Sequence, residues 1–151
     1  MRPLPADRDD GPEAIDGWLP HRGAMRLVDR VTGFRGSPDP ALSATFEVRP
    51  DHVALTGHFP GDPIWPGALT IEGLAQASMI LLVRAGAGST VPTIGWLTAV
   101  DVKLLAPVRP PATLTYRADA TGSFGGGHRV AVEARVGRLV VARGTLSVTA
   151  R

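Results

Sequence analysis

The sequence predicts an α+β domain in which one long buried helix is wrapped by a curved antiparallel sheet. First, the segment from Gly67 to about Arg84 reads as a helix that is apolar on nearly every face, as is typical of a helix inside a domain. Second, strand-like segments separated by glycine turns fill the chain from Thr93 onward. A buried helix followed by such a meander is best covered by a sheet that curves around it.

Short elements are expected before the central helix. Residues 1–11 are polar and contain prolines, so we expect a flexible N-terminal arm ahead of a single domain over residues 12–151. Residues 12–19 favour a short helix, because they open with proline and have one apolar side. A strand is expected around Val31 and a second one at Ala41–Val48, after a proline-containing turn.

The part of the chain after the central helix reads as β structure throughout. Glycine-containing residues 86–89 end the helix. The predicted strands are residues 93–108, 113–121, 129–136 and 139–149, with a glycine-rich turn at 122–127 and another at 137–138.

Composition bounds the possible functions. With no cysteine, the chain has no disulfide, thiolate metal site or cysteine nucleophile. The net charge of +2 comes from scattered basic residues, which argues against nucleic-acid binding. The N-terminal residues lack the apolar core of a signal peptide, and the longest apolar run, residues 79–83, is too short to span a membrane. We therefore expect a cytoplasmic protein.

The stretch Gly-His-Phe-Pro-Gly-Asp-Pro-Ile-Trp-Pro-Gly, residues 57–67, is the most informative one. Its three prolines fix backbone angles and make it a rigid loop. Glu72 is the only charge on the helix between Ala68 and Val83, and Gln76 follows it by one turn, within hydrogen-bonding reach. A buried carboxyl is costly unless it is paired or protonated, so such groups concentrate at functional sites.

These residues form a plausible acid–base set. His58 could act as a base, a Glu72 kept neutral by burial could act as an acid, and the N–H groups at the helix start near Gly67 could stabilise an oxyanion. Glu72 would lie roughly 7 Å along the axis from Gly67 at ~1.5 Å per residue. The sequence leaves open whether His58 and Glu72 of one site belong to the same chain.

Structural interpretations remain for each histidine. Considered without the rest of the motif, His58 would more often be structural. Glu72 could instead form a buried ion pair with an arginine such as Arg22. We expect a hydrogen-bonding role for His21 and surface positions for His52 and His128. No histidine pair has metal-ligand spacing, so the sequence predicts no metal site.

The motif from Gly57 to Gly67, followed by Glu72 and Ala75-Gln76, closely resembles the signature of bacterial β-hydroxyacyl-[acyl carrier protein] dehydratases. Residues 19–22 (Leu-Pro-His-Arg), residues 27–31 and the strand around Lys103 are similar to further motifs of this family. The resemblance covers about residues 15–149. It implies a hot-dog fold that dimerises, with active sites at the subunit interface and a possible further assembly of dimers.

The resemblance also implies residue roles. His58 would take the C2 proton of a 3-hydroxyacyl thioester, Glu72 from the partner subunit would protonate the departing hydroxyl, and the Gly67 N–H would polarise the thioester carbonyl. No metal or nicotinamide is implied, since the acyl chain arrives on the phosphopantetheine arm of an acidic acyl carrier protein. The same mapping makes Gln76, Phe59 and Pro66 supporting residues, and it assigns the acyl tunnel to Trp65, Ile64 and Leu69.

Two features bear on specificity. Glutamate at position 72 is typical of the dehydratase-only branch, whereas the strand at Val102-Lys103-Leu104 is more similar to the dehydratase/isomerase branch. Trp65 stands where the family usually has a smaller side chain, so we expect it to restrict or reshape the access of the acyl chain. The rival functions are an acyl-thioester hydrolase or CoA-dependent enoyl hydratase of the same fold, and a catalytically silent acyl-binding scaffold subunit.

Overall fold

The computed structural model describes residue 1, residues 4–87 and residues 95–150, with only the backbone for 6–9 and 150. Two helices and seven strands account for most of it. The elements in chain order are β1 (Ala6–Asp10), α1 (Pro12–Trp18), β2 (Arg30–Arg35), β3 (Ala41–Val48), α2 (Gly67–Arg84), β4 (Gly95–Leu104), β5 (Ala112–Phe124), β6 (Gly127–Val136) and β7 (Leu139–Ala150).

All seven strands belong to one antiparallel sheet with the order β1-β2-β3-β5-β6-β7-β4. Helix α2 packs on one face of this sheet, and the predicted α+β hot-dog architecture is confirmed. Leu74, Ile80 and Leu81 of α2 are fully buried against Leu114 of β5 and Leu146 of β7. Their burial, at about 25 cal/mol per Å² of apolar surface, supplies the main favourable term for folding.

Helix α2 is long and apolar enough to cross a membrane by length and composition alone. Here it lies inside the sheet with more than half of its residues buried, which identifies it as the core helix. Its predicted start at Gly67 and end at Arg84 are confirmed.

The prediction of a flexible arm at residues 1–11 is wrong for Ala6–Asp10. These residues form an edge strand that pairs with β2. The glycine turn at residues 122–127 is shorter than predicted, because β5 and β6 run on to a tight turn at Gly125 and Gly126, both with positive φ. Of the residues 86–89 predicted to follow the helix end, 88 and 89 lie outside the described residues, as does the predicted strand start at Thr93.

Strand β4 forms one end of the sheet and pairs only with β7 among the described strands. Its residues Leu97, Val100 and Leu104 pair with Val148, Leu146 and Ala142, so they share the core-facing side of the sheet. They are nevertheless 40%, 48% and 53% exposed. This apolar row at the sheet edge lacks the cover that α2 gives to the other strands.

Candidate functional site

The loop between β3 and α2 holds His58 by its ring. His58 Nδ1 lies 2.7 Å from the Ile64 carbonyl oxygen. Because a carbonyl oxygen can only accept, Nδ1 carries a hydrogen, and in the neutral form of the ring the lone pair is on Nε2. The Ile64 N–H donates back to the His58 carbonyl at 2.9 Å, and the Phe59 ring stacks on the imidazole at 4.1 Å. The loop therefore fixes the orientation of the ring, with Nε2 as the nitrogen left for a substrate.

The N-terminus of α2 lies beside this imidazole. Pro66 is the N-cap residue and provides no capping side chain. The Leu69 N–H donates to the Pro66 carbonyl oxygen at 3.0 Å, whereas the Gly67 and Ala68 N–H groups at the helix start have no acceptor within the helix. A Cβ at Gly67 would collide with the side chain of Leu104, so glycine is what lets β4 approach the helix start. The helix dipole and the free N–H groups make this position suited to a developing negative charge.

His58, Ile64, Trp65 and Gly67 line one cavity of about 310 Å³. Its other walls come from the end of β4 and the segment after it, with Thr70 and Val141 completing the lining. The structure thus brings together four of the residues predicted for the site. Leu69, which was predicted for the tunnel, packs against the core and is not among the residues that line this cavity. Thr70, the next residue of α2, lines it.

Glu72 lies in a separate cavity of about 120 Å³, which it shares with His21, Gln76 and Leu97. The Gln76 amide donates to Glu72 Oε1 at 2.9 Å, as predicted, and His21 Nε2 lies 3.3 Å from the same oxygen. Gln76 is itself fixed, because it accepts from the Leu27 N–H at 2.8 Å and donates to the Met25 carbonyl at 2.7 Å.

The charge state of Glu72 differs from the expectation. The carboxyl is half-buried, and the hydrogen bond from His21 holds its pKa below the usual value; partial burial opposes this, while Gln76 and the His21 charge reinforce it. The expectation of a carboxyl kept neutral by burial is therefore wrong for the single chain. Arg22, the expected alternative partner, instead donates to the backbone carbonyls of Leu19, His21 and Asp16.

His52 and His128, both expected at the surface, are half-buried, and Trp65 is buried as well. His52 is not a surface residue: it is half-buried, with its ring 4.8 Å from Trp65. Trp65 is only 2% exposed and packs against Phe46 at 5.4 Å, so most of this side chain belongs to the core while one part lines the His58 cavity. His128 is half-buried on the β5–β6 hairpin, beside Ser123 Oγ.

Sequence reasoning missed the pairing of His21 with Glu72, which lie 51 residues apart in the chain. The hint was the Leu-Pro-His-Arg motif before β2, which places an imidazole on a turn. No group of three or more histidine, aspartate or glutamate side chains that could hold a metal ion occurs within the described part of the chain.

The two cavities lie at opposite ends of β4. Leu104 lines the His58 cavity and Leu97 lines the Glu72 cavity. These residues are seven positions apart, which corresponds to roughly 23 Å at ~3.3 Å per strand residue. In one chain the imidazole and the carboxyl line separate cavities, although Thr70 of the His58 cavity and Glu72 are only two residues apart on α2.

Comparison with known proteins places this chain in a family. Residues 19–145 match the profile described as a FabA-like domain. The chain is 34% identical over 136 residues to the 3-hydroxyacyl-[acyl-carrier-protein] dehydratase FabZ of Nitrosospira multiformis, covering 89% of this chain and 92% of the relative. It is 36% identical to FabZ of Pseudothermotoga lettingae, covering 92% of this chain and 95% of that one.

Solved structures share the fold. The dehydratase heterocomplex ApeI:P from Xenorhabdus doucetiae matches with a TM-score of 0.72 at 20% identity, over 91% of this chain and 90% of that one. The fluoroacetyl-CoA thioesterase FlK matches with a TM-score of 0.58 at 22% identity, over 74% of this chain and 86% of that one.

Proposed function

The chain belongs to the FabA-like family, and we propose from this membership that it is a 3-hydroxyacyl-[acyl carrier protein] dehydratase. It removes water from 3-hydroxyacyl thioesters to give trans-2-enoyl thioesters, in fatty-acid or polyketide-type synthesis. The acyl chain is carried on the phosphopantetheine arm of the carrier protein, and the enzyme is cytoplasmic. The relatives that carry this name align with nearly the whole chain, which includes both His58 and Glu72.

The observation that carries the proposal is the position of the two cavities at opposite ends of β4. Antiparallel pairing of β4 with β4 of a second copy, about a two-fold axis near Val100, exchanges the two ends. Leu97 of one copy then lies opposite Leu104 of the other. This arrangement brings His58 of one subunit to Glu72 of the other and forms two equivalent sites.

The exposed apolar row on β4 supports this dimer. Leu97, Val100 and Leu104 face the core side of the sheet but are about half exposed in one chain. An unpaired strand edge with apolar side chains is a template for pairing with another chain. A second copy covers the row and continues the sheet. Further association of dimers through other surfaces would leave both sites unchanged.

In the proposed reaction, His58 Nε2 takes the proton from C2 of the substrate. The electron pair of the broken C–H bond forms the C2=C3 double bond, the C3–O bond breaks, and the hydroxyl leaves as water with a proton from Glu72. His58 ends as imidazolium and Glu72 as carboxylate. The Gly67 N–H donates to the thioester oxygen, where negative charge develops as C2 loses its proton.

The test is an assay of dehydration and of the reverse hydration on carrier-bound C4 to C12 substrates. We expect the wild type to interconvert 3-hydroxyacyl and trans-2-enoyl thioesters. His58→Ala and Glu72→Gln should each lower kcat by about 10²- to 10⁴-fold, as for loss of a general base or acid, while the circular dichroism spectrum is unchanged. His128→Ala, on the β5–β6 hairpin, is the matched control.

Other outcomes separate the rival functions. Release of free thiol from the acyl thioester would identify a hydrolase, and activity with CoA substrates alone would identify an enoyl hydratase. A wild type that binds acyl chains without converting them would identify a scaffold subunit. Formation of a cis-3-enoyl product would add isomerisation, which the glutamate at position 72 disfavours.

A further inference from the structure

We propose that His21 is a positioning residue of the catalytic site, which fixes one oxygen of Glu72 so that the other oxygen delivers the proton. This inference rests on the proposed function. His21 belongs to the turn before β2, far in sequence from both the His58 loop and α2, and it lines the Glu72 cavity.

The hydrogen bonds around Glu72 distinguish its two oxygens. Oε1 lies 2.9 Å from the Gln76 amide nitrogen and 3.3 Å from His21 Nε2. A carboxyl oxygen facing two N–H donors is stabilised as the unprotonated acceptor. No described residue bonds Oε2. The proton of the acid form therefore resides on Oε2, the oxygen left for the substrate hydroxyl.

Position as well as bonding supports this role for His21. Gln76 is 1% exposed and is tied to the backbone at Met25 and Leu27, which lie in the same segment as His21. The Gln76 amide and the His21 imidazole thus both connect this segment to α2. His21 Nδ1 is buried without a partner among the described residues, so the bond from Nε2 to Glu72 is the polar contact that orients the ring.

Three polar or charged side chains of the described residues act on Glu72: Gln76 on the same helix, and His21 and Tyr116 on other elements. His21 lowers the pKa of the carboxyl through its hydrogen bond and its charge, and the buried Tyr116 hydroxyl of β5 is close enough to interact with Glu72 electrostatically. Removing the His21 donor should therefore free the Glu72 side chain to rotate and move its pKa upward. A residue that only supported the fold would not produce the second effect.

The experiment compares His21→Leu with His21→Gln, whose amide can still donate to Oε1. Dehydration and hydration of a carrier-bound C4 substrate are followed between pH 3 and pH 9. We expect His21→Leu to lower kcat by about tenfold, the order of effect of a misplaced catalytic group, with KM changed less than about twofold. The limb of the pH–rate profile that reports Glu72 should move to higher pH.

His21→Gln should recover most of kcat and keep this limb near its wild-type position. His128→Leu and His128→Gln are matched controls, because His128 lies outside both cavities. Wild-type kcat in His21→Leu, or an equal loss in His21→Gln and His21→Leu, would overturn the role. If His21→Leu does not fold, His21→Gln decides alone, and a loss of activity there counts against the role. An inert wild type would instead reject the proposed function itself.

Discussion

The chemistry of Glu72 depends on the few residues around it rather than on burial alone. The carboxyl is half-buried, and burial by itself would favour the protonated acid. The bonds from His21 and Gln76 reverse this and favour the carboxylate. The charge state of the free chain thus suits proton uptake in hydration, and dehydration requires that Glu72 first acquire a proton.

This pKa shift predicts a pH dependence of stability. Because the pKa of Glu72 in the folded state is below the usual 4.5, its ionised form contributes stability above that pH, and the contribution is lost as the pH falls through the folded-state pKa. We expect the free energy of unfolding of wild type to exceed that of Glu72→Gln by a margin that shrinks as the pH is lowered from 7 to 3. Urea denaturation across this range measures the margin.

The hydrogen bond from His21 is the largest cause of the lowered pKa of Glu72. In a His21→Leu background, the difference in unfolding free energy between the proteins with and without Glu72→Gln should therefore depend less on pH. A margin that grows toward low pH would mean that the pKa of Glu72 is raised, and that burial rather than His21 controls it.

At the scale of elements, the close approach of α2 to β5 decides where the core helix lies. Gly73 follows Glu72 on α2 and faces the fully buried Tyr116 of β5. A Cβ at Gly73 would collide with the Tyr116 hydroxyl and lie 2.5 Å from Cζ of the ring. The ring is held in the core and has little freedom to move, so the absence of a side chain at Gly73 sets the helix–sheet distance at the active-site end of α2.

We therefore expect Gly73→Ala to destabilise the fold by about 1–3 kcal/mol, the usual cost of overpacking a core. Gly17→Ala on α1 is the matched control, because nothing lies within 4 Å of a Cβ there, and it should be neutral or slightly stabilising. Thermal and urea denaturation measure both variants. A Gly73→Ala protein as stable as wild type would show that Tyr116 can move.

Elements with local signals were predictable from the sequence. Ala41–Val48 and Gly67–Arg84 have their expected bounds because proline and glycine mark their starts and the apolar pattern runs through them. Strand β1 was missed because Ala6–Asp10 is almost entirely charged, and an edge strand needs no apolar face. The His21–Glu72 bond joins distant segments, so no local pattern reports it, and the charge state of Glu72 could not be predicted without it.

At the scale of the whole molecule, the site is divided between the two ends of a strand. Each chain has an imidazole cavity at the Leu104 end of β4 and a carboxyl cavity at the Leu97 end. Two-fold pairing at β4 completes both sites at once, because the Leu104 end of each strand lies beside the Leu97 end of the other. Dimerisation would then be a condition for catalysis as well as for covering the apolar row on β4.

This arrangement predicts that two inactive variants complement each other. In a dimer of one His58→Ala subunit and one Glu72→Gln subunit, one site contains both substitutions and the other contains neither. Random reassociation makes about half of the dimers mixed, each with one of its two sites intact, so the mixture should recover about a quarter of wild-type activity. The measurement is the dehydration rate after joint unfolding and refolding of differently tagged subunits.

The matched control replaces Glu72→Gln with the double variant His58→Ala/Glu72→Gln. Its mixed dimers with His58→Ala contain no intact site, so they should stay inactive although they assemble equally well. If purified mixed dimers of the two single variants are also inactive, His58 and Glu72 of one site come from the same chain. Such a result would mean that one substrate reaches both cavities of a single chain.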